Sequence, residues 1–327
     1  MKPTTAFVLS TFAIAITAVA QQPTLTVYTY DSFASDWGPA PQLEPLFEKQ
    51  CGCDLKFMPF EDGITMFNRI RLEGVKTKAD VMLGIDNFVL PEAEKSGLFI
   101  PHELNTDSIE LTPKWQNHRF LPYDFGEYAF IYNKEKLTDP PESLKALVER
   151  QDLKIIYQDP RTSTVGRGFL FWMNTVYGDH VEQAWETLAK HTVTVGKGWS
   201  ETYGAFLKGE ADLVLSYTTS PLYHQWHDKT DKYAAARFSE GHLMQIEVAA
   251  ISKYSKQPAL AKQFLAFLLQ PEAQQVISYH NVMKPVVSTT ADPAFKTLPS
   301  YPVLNITQPE TDTVKGWLNT WQKTLSQ

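Results

Sequence analysis

The stretch Tyr123-Asp124-Phe125-Gly126-Glu127-Tyr128-Ala129-Phe130-Ile131-Tyr132-Asn133 decides the fold. It is aromatic and extended in character, and reads as one long strand leaving a first lobe. Before it lies a series of alternating strand-like and helix-like segments. Leu25-Thr26-Val27-Tyr28-Thr29-Tyr30 alternates with period two and reads as the first strand. A helix is predicted over 41–50, where Leu43, Leu46 and Phe47 share a face. Strands are predicted over 54–60 and 79–85. Helices are predicted over 64–73 and over 89–96, the latter stopped by Gly97. After the long strand a second series begins with a strand over 154–158 and a helix capped by residues 162–164. Helices over 181–191 and 200–208 and a strand over 212–217 continue it. A further extended run, 245–251, leads back, and helices over 258–269 and 271–279 follow, each opened by proline.

Two βα series joined by two extended segments predict an α/β chain of two lobes with crossover strands between them. The expected division is 21–127 with 248–327 in one lobe and 128–247 in the other, the C-terminal helices being free to pack on either. No Pro/Ser-rich linker separates them, so the lobes should hinge around a ligand cleft instead of tumbling independently.

The N-terminus predicts the compartment. Lys2 is the only charge before Asp31, an apolar core follows, and Ala18-Val19-Ala20 closes it. This is the pattern of a cleaved signal peptide over 1–20, with a core too short for the ~20 residues a spanning helix needs. Removing Lys2 moves the formal charge from -7 to -8. That acidity, with no basic run, argues against nucleic acid as partner. Cys51 and Cys53 are the only cysteines. One intervening residue makes a strained ring that Gly52 eases, and we read the pair as a local disulfide clamp, with two free thiols the alternative.

Enzyme signatures are absent: no HExxH, GxSxG, GxxxxGK[ST] or dinucleotide glycine pattern occurs. His224 and His227 are three apart without clustered partners, and read as packing residues, so no metal is expected. Two places resemble anion sites, Thr162-Ser163-Thr164 and Asp62-Gly63, each at a helix start where unpaired N–H groups and the dipole favour negative charge. Plain helix capping alone explains either site, and without the family resemblance it is the favoured reading. Aromatic residues add a second signal. Tyr30, Trp37, Trp199, Tyr217 and Tyr223 sit at element boundaries, off the helical stripes, where cleft-facing residues gather and where rings can hold a flat cation.

Four runs carry a family resemblance: residues 25–33 with Asp36-Trp37-Gly38-Pro39, then 156–164, then Lys197-Gly198-Trp199-Ser200-Glu201, then 213–221. Over nearly the whole mature chain the sequence resembles the thiamine-binding periplasmic proteins of bacterial ABC importers. The resemblance implies a type II periplasmic-binding-protein fold, two α/β lobes with the ligand in the cleft. It implies a periplasmic, monomeric, non-enzymatic solute-binding protein without a cofactor. The ligand would be thiamine, thiamine phosphate or thiamine diphosphate, handed to the importer's permease subunits. By matching motif, Asp62, Gly63, Ser163 and Thr164 would contact the phosphate or alcohol end. Trp199, Tyr217, Thr218, Thr219 and Ser220 would line the vitamin, with Tyr30 and Tyr223 as aromatic walls. Asp31, Asp62 and Glu247 are candidates to balance the thiazolium charge. The sequence departs from the family's Asn-Trp-Met-Tyr-Pro at Asn281-Val282-Met283-Lys284-Pro285, which predicts weaker stacking there and, if Lys284 faces the cleft, better phosphate attraction. The rival reading is a protein of the same fold for another small cation or anion, a polyamine or ferric iron. An iron binder would be expected to carry adjacent tyrosines, and this chain has none.

Overall fold

Period-two alternation of buried and less buried positions makes β1 (Thr24–Tyr30) a strand packed on both faces. The computed structural model describes residues 22–325, so the predicted signal peptide lies outside the described residues. Along the chain follow α1 (Asp31–Ala34), α2 (Ala40–Cys51), β2 (Asp54–Phe60), α3 (Gly63–Glu73), β3 (Val81–Asp86), α4 (Leu90–Ser96), β4 (Phe99–Ile100) and β5 (Phe120–Asn133). The second half comprises α5 (Leu144–Glu149), β6 (Ile155–Gln158), α6 (Thr164–Tyr177), α7 (Val181–Ala189), β7 (Thr192–Gly196), α8 (Trp199–Leu207), β8 (Leu213–Tyr217) and α9 (Ser220–Tyr223). It ends with β9 (Tyr233–Ala235), β10 (Met244–Ser252), α10 (Pro258–Leu268), α11 (Pro271–His280), β11 (Lys284–Pro285), α12 (Asp292–Phe295) and α13 (Thr311–Leu325).

The strands run in the order β2-β1-β3-β10-β5-β8-β6-β7. The two lobes meet on β5. Up to Glu127 this strand pairs antiparallel with β10, and from Tyr128 onward with β8. One continuous strand therefore belongs to both lobes. Helices cover both faces, and each lobe has its own apolar core, centred on residues such as Phe47, Phe264 and Phe267 in one and Phe169, Trp172 and Trp185 in the other.

One boundary differs from expectation. β10 begins at Met244 and lies among first-lobe strands, so the chain returns before residue 248. The C-terminal segment divides. α10 and α11 pack on the first lobe, whereas α13 joins the second, with Val314 and Trp321 buried in that core and Trp321 Nε1 donating to Tyr157 Oη at 3.0 Å. The reason is the 3–4 spacing of Val314, Trp317, Leu318 and Trp321, an apolar stripe that needs a partner face. Cys51 and Cys53 are bridged, closing the end of α2 where Gly52 adopts the left-handed conformation that ends helices.

Candidate functional site

The helix starts at the lobe seam organise the site. α3, from the first lobe, and α6 and α8, from the second, begin within reach of one side chain, Asp62. Its Oδ1 accepts from the N–H groups of Gly63 (2.7 Å) and Thr164 (3.0 Å), and its Oδ2 accepts from Trp199 (3.1 Å). One carboxylate thus caps three helices, and two of its bonds cross between lobes. The seam is tight. A Cβ on Gly63 would meet the Gly84 carbonyl and the Thr164 side chain, and one on Gly198 would lie 2.6 Å from the Glu61 carbonyl. Ser200 Oγ donating to Asp31 (2.7 Å), and Arg167 pairing with Glu92 (2.6 Å), also join the lobes.

Beside this seam lies a cavity of about 240 Å³. Trp37, Trp199 and Tyr223 form its aromatic rim. The Trp37 ring centroid is 6.2 Å from both the Trp199 and the Tyr223 rings, so residues distant in sequence and from opposite lobes face one another. Trp199 stacks on Tyr203 at 4.8 Å and 18°, and its Nε1 donates to Ser216 Oγ at 2.8 Å. The indole is therefore held on one face and at its edge, which leaves little rotamer freedom to lose on binding.

Of the residues expected to bind, Tyr30, Trp37, Asp62, Thr164, Trp199, Tyr217, Thr219, Ser220 and Tyr223 line the cavity. Gly63, Ser163 and Thr218 do not. Gly63 is packed into the seam. Ser163 is fully buried and caps α6, its Oγ accepting from Gly166 N–H, and Thr218 Oγ1 donates to Glu127 Oε2 at 2.9 Å. Sequence reasoning missed Tyr203, Asn281 and Met283 in the lining. Tyr203, four residues after Trp199 on α8, carried a local signal in that helical spacing. Asn281 and Met283 follow α11 and reach the cavity only through the tertiary fold. In the departed segment, Val282 does line the cavity, in the left-handed region at φ 53°, unusual for a β-branched residue. Lys284 does not face the cleft. Its Nζ donates to both Glu127 oxygens at 2.8 Å, so its charge is neutralised there.

Asp62 and Glu247 line the cavity, and Asp86 and Asp124 are buried without lining it. Burial raises the Asp62 and Asp86 carboxyls to about 6 and Asp124 to about 7, and holds Glu247 well above the ordinary range. Hydrogen bonds to the charged forms only partly oppose this. The folded chain thus retains protons that the unfolded chain has already released, and stability falls as pH rises through these values. Burial lowers His102, His224 and His242, which costs stability only below the ordinary histidine value near 6.5. Between pH 6.5 and 8 the carboxyls therefore dominate. We expect the ligand-free protein to lose roughly 1–2 kcal/mol over that range, about 2–6 °C in calorimetric Tm. A flat or rising Tm would contradict the assignment.

Among the described residues no helix is long and apolar enough to cross a membrane, and no group of three or more His, Cys, Asp or Glu is placed to hold a metal ion. Residues 28–275 match the family of bacterial extracellular solute-binding proteins. The chain is 53% identical to a thiamine-binding periplasmic protein of Haemophilus influenzae, covering 97% of each chain. It is 52% identical to the one from Escherichia coli, covering 94% of this chain and 95% of that one. A solved structure of a periplasmic thiamin binding protein superposes with a TM-score of 0.89 at 51% identity, covering 94% of this chain and 97% of the other.

Proposed function

This chain belongs to the bacterial extracellular solute-binding proteins and, within them, to the thiamine-binding periplasmic proteins; from that premise we propose that it captures thiamine and its phosphate esters between its lobes and delivers them to an ABC importer. It works in the periplasm, as a monomer, and binds its ligand without transforming it. The observation that carries this reading is the cavity itself: aromatic rings contributed by both lobes, together with the buried carboxyls of Asp62 and Glu247. A flat organic cation fits that chemistry, since rings stack on its faces and attract its charge. Closure then brings both lobes onto one molecule and creates the surface that the permease subunits recognise.

In this reading Trp199, Trp37 and Tyr223 hold the rings, with Tyr30 and Tyr217 below them. Thr219 and Ser220 supply hydroxyls, and the alcohol or phosphate end lies toward Thr164 and the helix starts around Asp62. Ferric iron suits the site less well, because its ligands are oxygen and nitrogen donors and not ring faces. A polyamine's ammonium groups can meet the same rings, and it is the resemblance to thiamine-binding proteins that favours the vitamin. Calorimetric titration of the mature protein, unfolded and refolded to strip ligand, is expected to give tight one-to-one binding of thiamine. Absence of binding by verifiably folded protein would overturn the ligand and leave the fold intact.

A further inference from the structure

Strand register places three acids in a row across the sheet. Glu247 on β10 lies directly opposite Asp124 on β5 and, on its other side, opposite Asp86 on β3. Like charges facing each other across strands are destabilising, so the sheet carries this arrangement at a cost. Glu247 is 4% exposed and lines the cavity, while Asp124, behind it, is fully buried. Asn281 Nδ2 ties the group together, donating to Asp124 Oδ2 (2.8 Å), Glu247 Oε2 (3.1 Å) and Tyr30 Oη (3.0 Å). Tyr30 Oη in turn donates to Glu247 Oε2 at 3.1 Å.

Two further facts set the pair apart from ordinary structural acids. Among the described residues no Lys, Arg or His forms an ion pair with Asp124, Glu247 or Asp86. Asp124 Oδ1 is buried and has no hydrogen-bond partner, and Asp124 stands opposite Glu247 in the strand register. Buried acceptors in native proteins are almost always satisfied.

We propose that Glu247, backed by Asp124, is the counter-charge that makes the site select a cationic ring over a neutral one of the same shape. This deepens the reading above and rests on it. A buried cation is tolerated only when paired, and this wall offers the pairing charge. Without ligand the two acids share one proton. When the cation arrives both ionise and the proton passes to the buffer. The groups facing the pair are Asp86 on β3, Tyr30 on β1, Tyr123 and Tyr128 on β5, and Tyr217 on β8. The tyrosines stay neutral near pH 7 because burial raises them all. Lys284, on β11 beside β5, is already paired with Glu127, and Asp62 lines the same cavity from the seam.

The test titrates wild-type, Glu247→Gln and Asp124→Asn proteins with thiamine and with its neutral analogue bearing a thiophene ring in place of the thiazolium. Calorimetry at pH 7 in buffers of different ionisation enthalpy reads affinity and proton release together. Wild type should prefer the cation by about 30-fold or more, the scale of a buried charge pair. It should release protons with the cation and none with the analogue. In Glu247→Gln both the preference and the release should largely disappear. Equal affinity of wild type for the two molecules overturns the proposal while leaving thiamine binding standing, and needs no variant to fold. Preference and release unchanged in both variants overturn it as well. Failure of both molecules to bind folded protein defeats the functional reading and this inference with it.

Discussion

Trp199→Ala is expected to weaken thiamine binding about a hundredfold. The indole stands at the cavity rim opposite Trp37, backed by Tyr203 and fixed through its Nε1 to Ser216. Such a ring contributes twice. Its face attracts a flat cation by roughly 0.5–2 kcal/mol, and its body excludes water from the carboxyls that line the cavity, which strengthens every charge interaction there. Truncating a well-packed aromatic anchor typically costs 2 kcal/mol or more, and a total near 3 kcal/mol is about a hundredfold. The substitution spares the lobe latch, because Asp62 is bonded to the Trp199 backbone N–H and not to its ring. Trp199→Phe keeps an aromatic face but loses the hydrogen bond to Ser216, and should fall between, at about tenfold. Titration calorimetry, with thermal unfolding to verify folding, measures both variants. A loss below threefold in Trp199→Ala would exclude stacking on this ring as a main source of affinity.

The two-lobed plan was legible in the sequence because it rests on local signals. Period-two alternation marks β1, proline and glycine mark helix ends, and an aromatic extended run marks β5. The boundary aromatics were legible for the same reason: Trp37, Trp199 and Tyr223 stand at the ends of elements the sequence marks, and all three reach the cavity. What could not be read depends on register and long-range docking. That Glu247 faces Asp124 and Asp86 follows from the pairing of strands separated by more than a hundred residues. That Asn281 bonds Tyr30 depends on where α11 ends against β1. The helix-start signals at Asp62 and Ser163 were visible, but not which group would fill them. The sequence pattern admits an external anion as well as a local cap, with the cap the favoured reading. The fold uses Ser163 as a cap and sets the Asp62 carboxylate among three helix starts.

That placement leads to the second large effect. Asp62→Ala should loosen closure and lower thiamine affinity about 30- to 100-fold, yet lower thiamine phosphate affinity much less. Asp62 holds the lobes together through Thr164 and Trp199 while capping its own helix at Gly63. Hydrogen bonds to a charged group contribute about 1.5–3 kcal/mol each, but in an open form water takes over the freed N–H groups, so we expect a net loss near 2–3 kcal/mol. That loss appears as a smaller population of the closed, binding-competent form, and apparent affinity falls by the same factor. A phosphate ester differs because three helix N-termini cleared of a carboxylate are a favourable place for an anion. Its phosphate can reconnect the lobes through the donors that Asp62 used. The ratio of thiamine phosphate to thiamine affinity should therefore rise about tenfold or more in Asp62→Ala, the scale of one charge-assisted hydrogen bond. Asp62→Asn, which retains one acceptor oxygen, should shift the ratio less. Parallel titrations with both ligands measure the ratio, and tryptophan fluorescence from the Trp37–Trp199 contact reports closure. Unchanged thiamine affinity would dismiss the latch. An equal loss for both ligands would retain the latch but show that phosphate binds elsewhere, with Asp62 acting purely between the lobes.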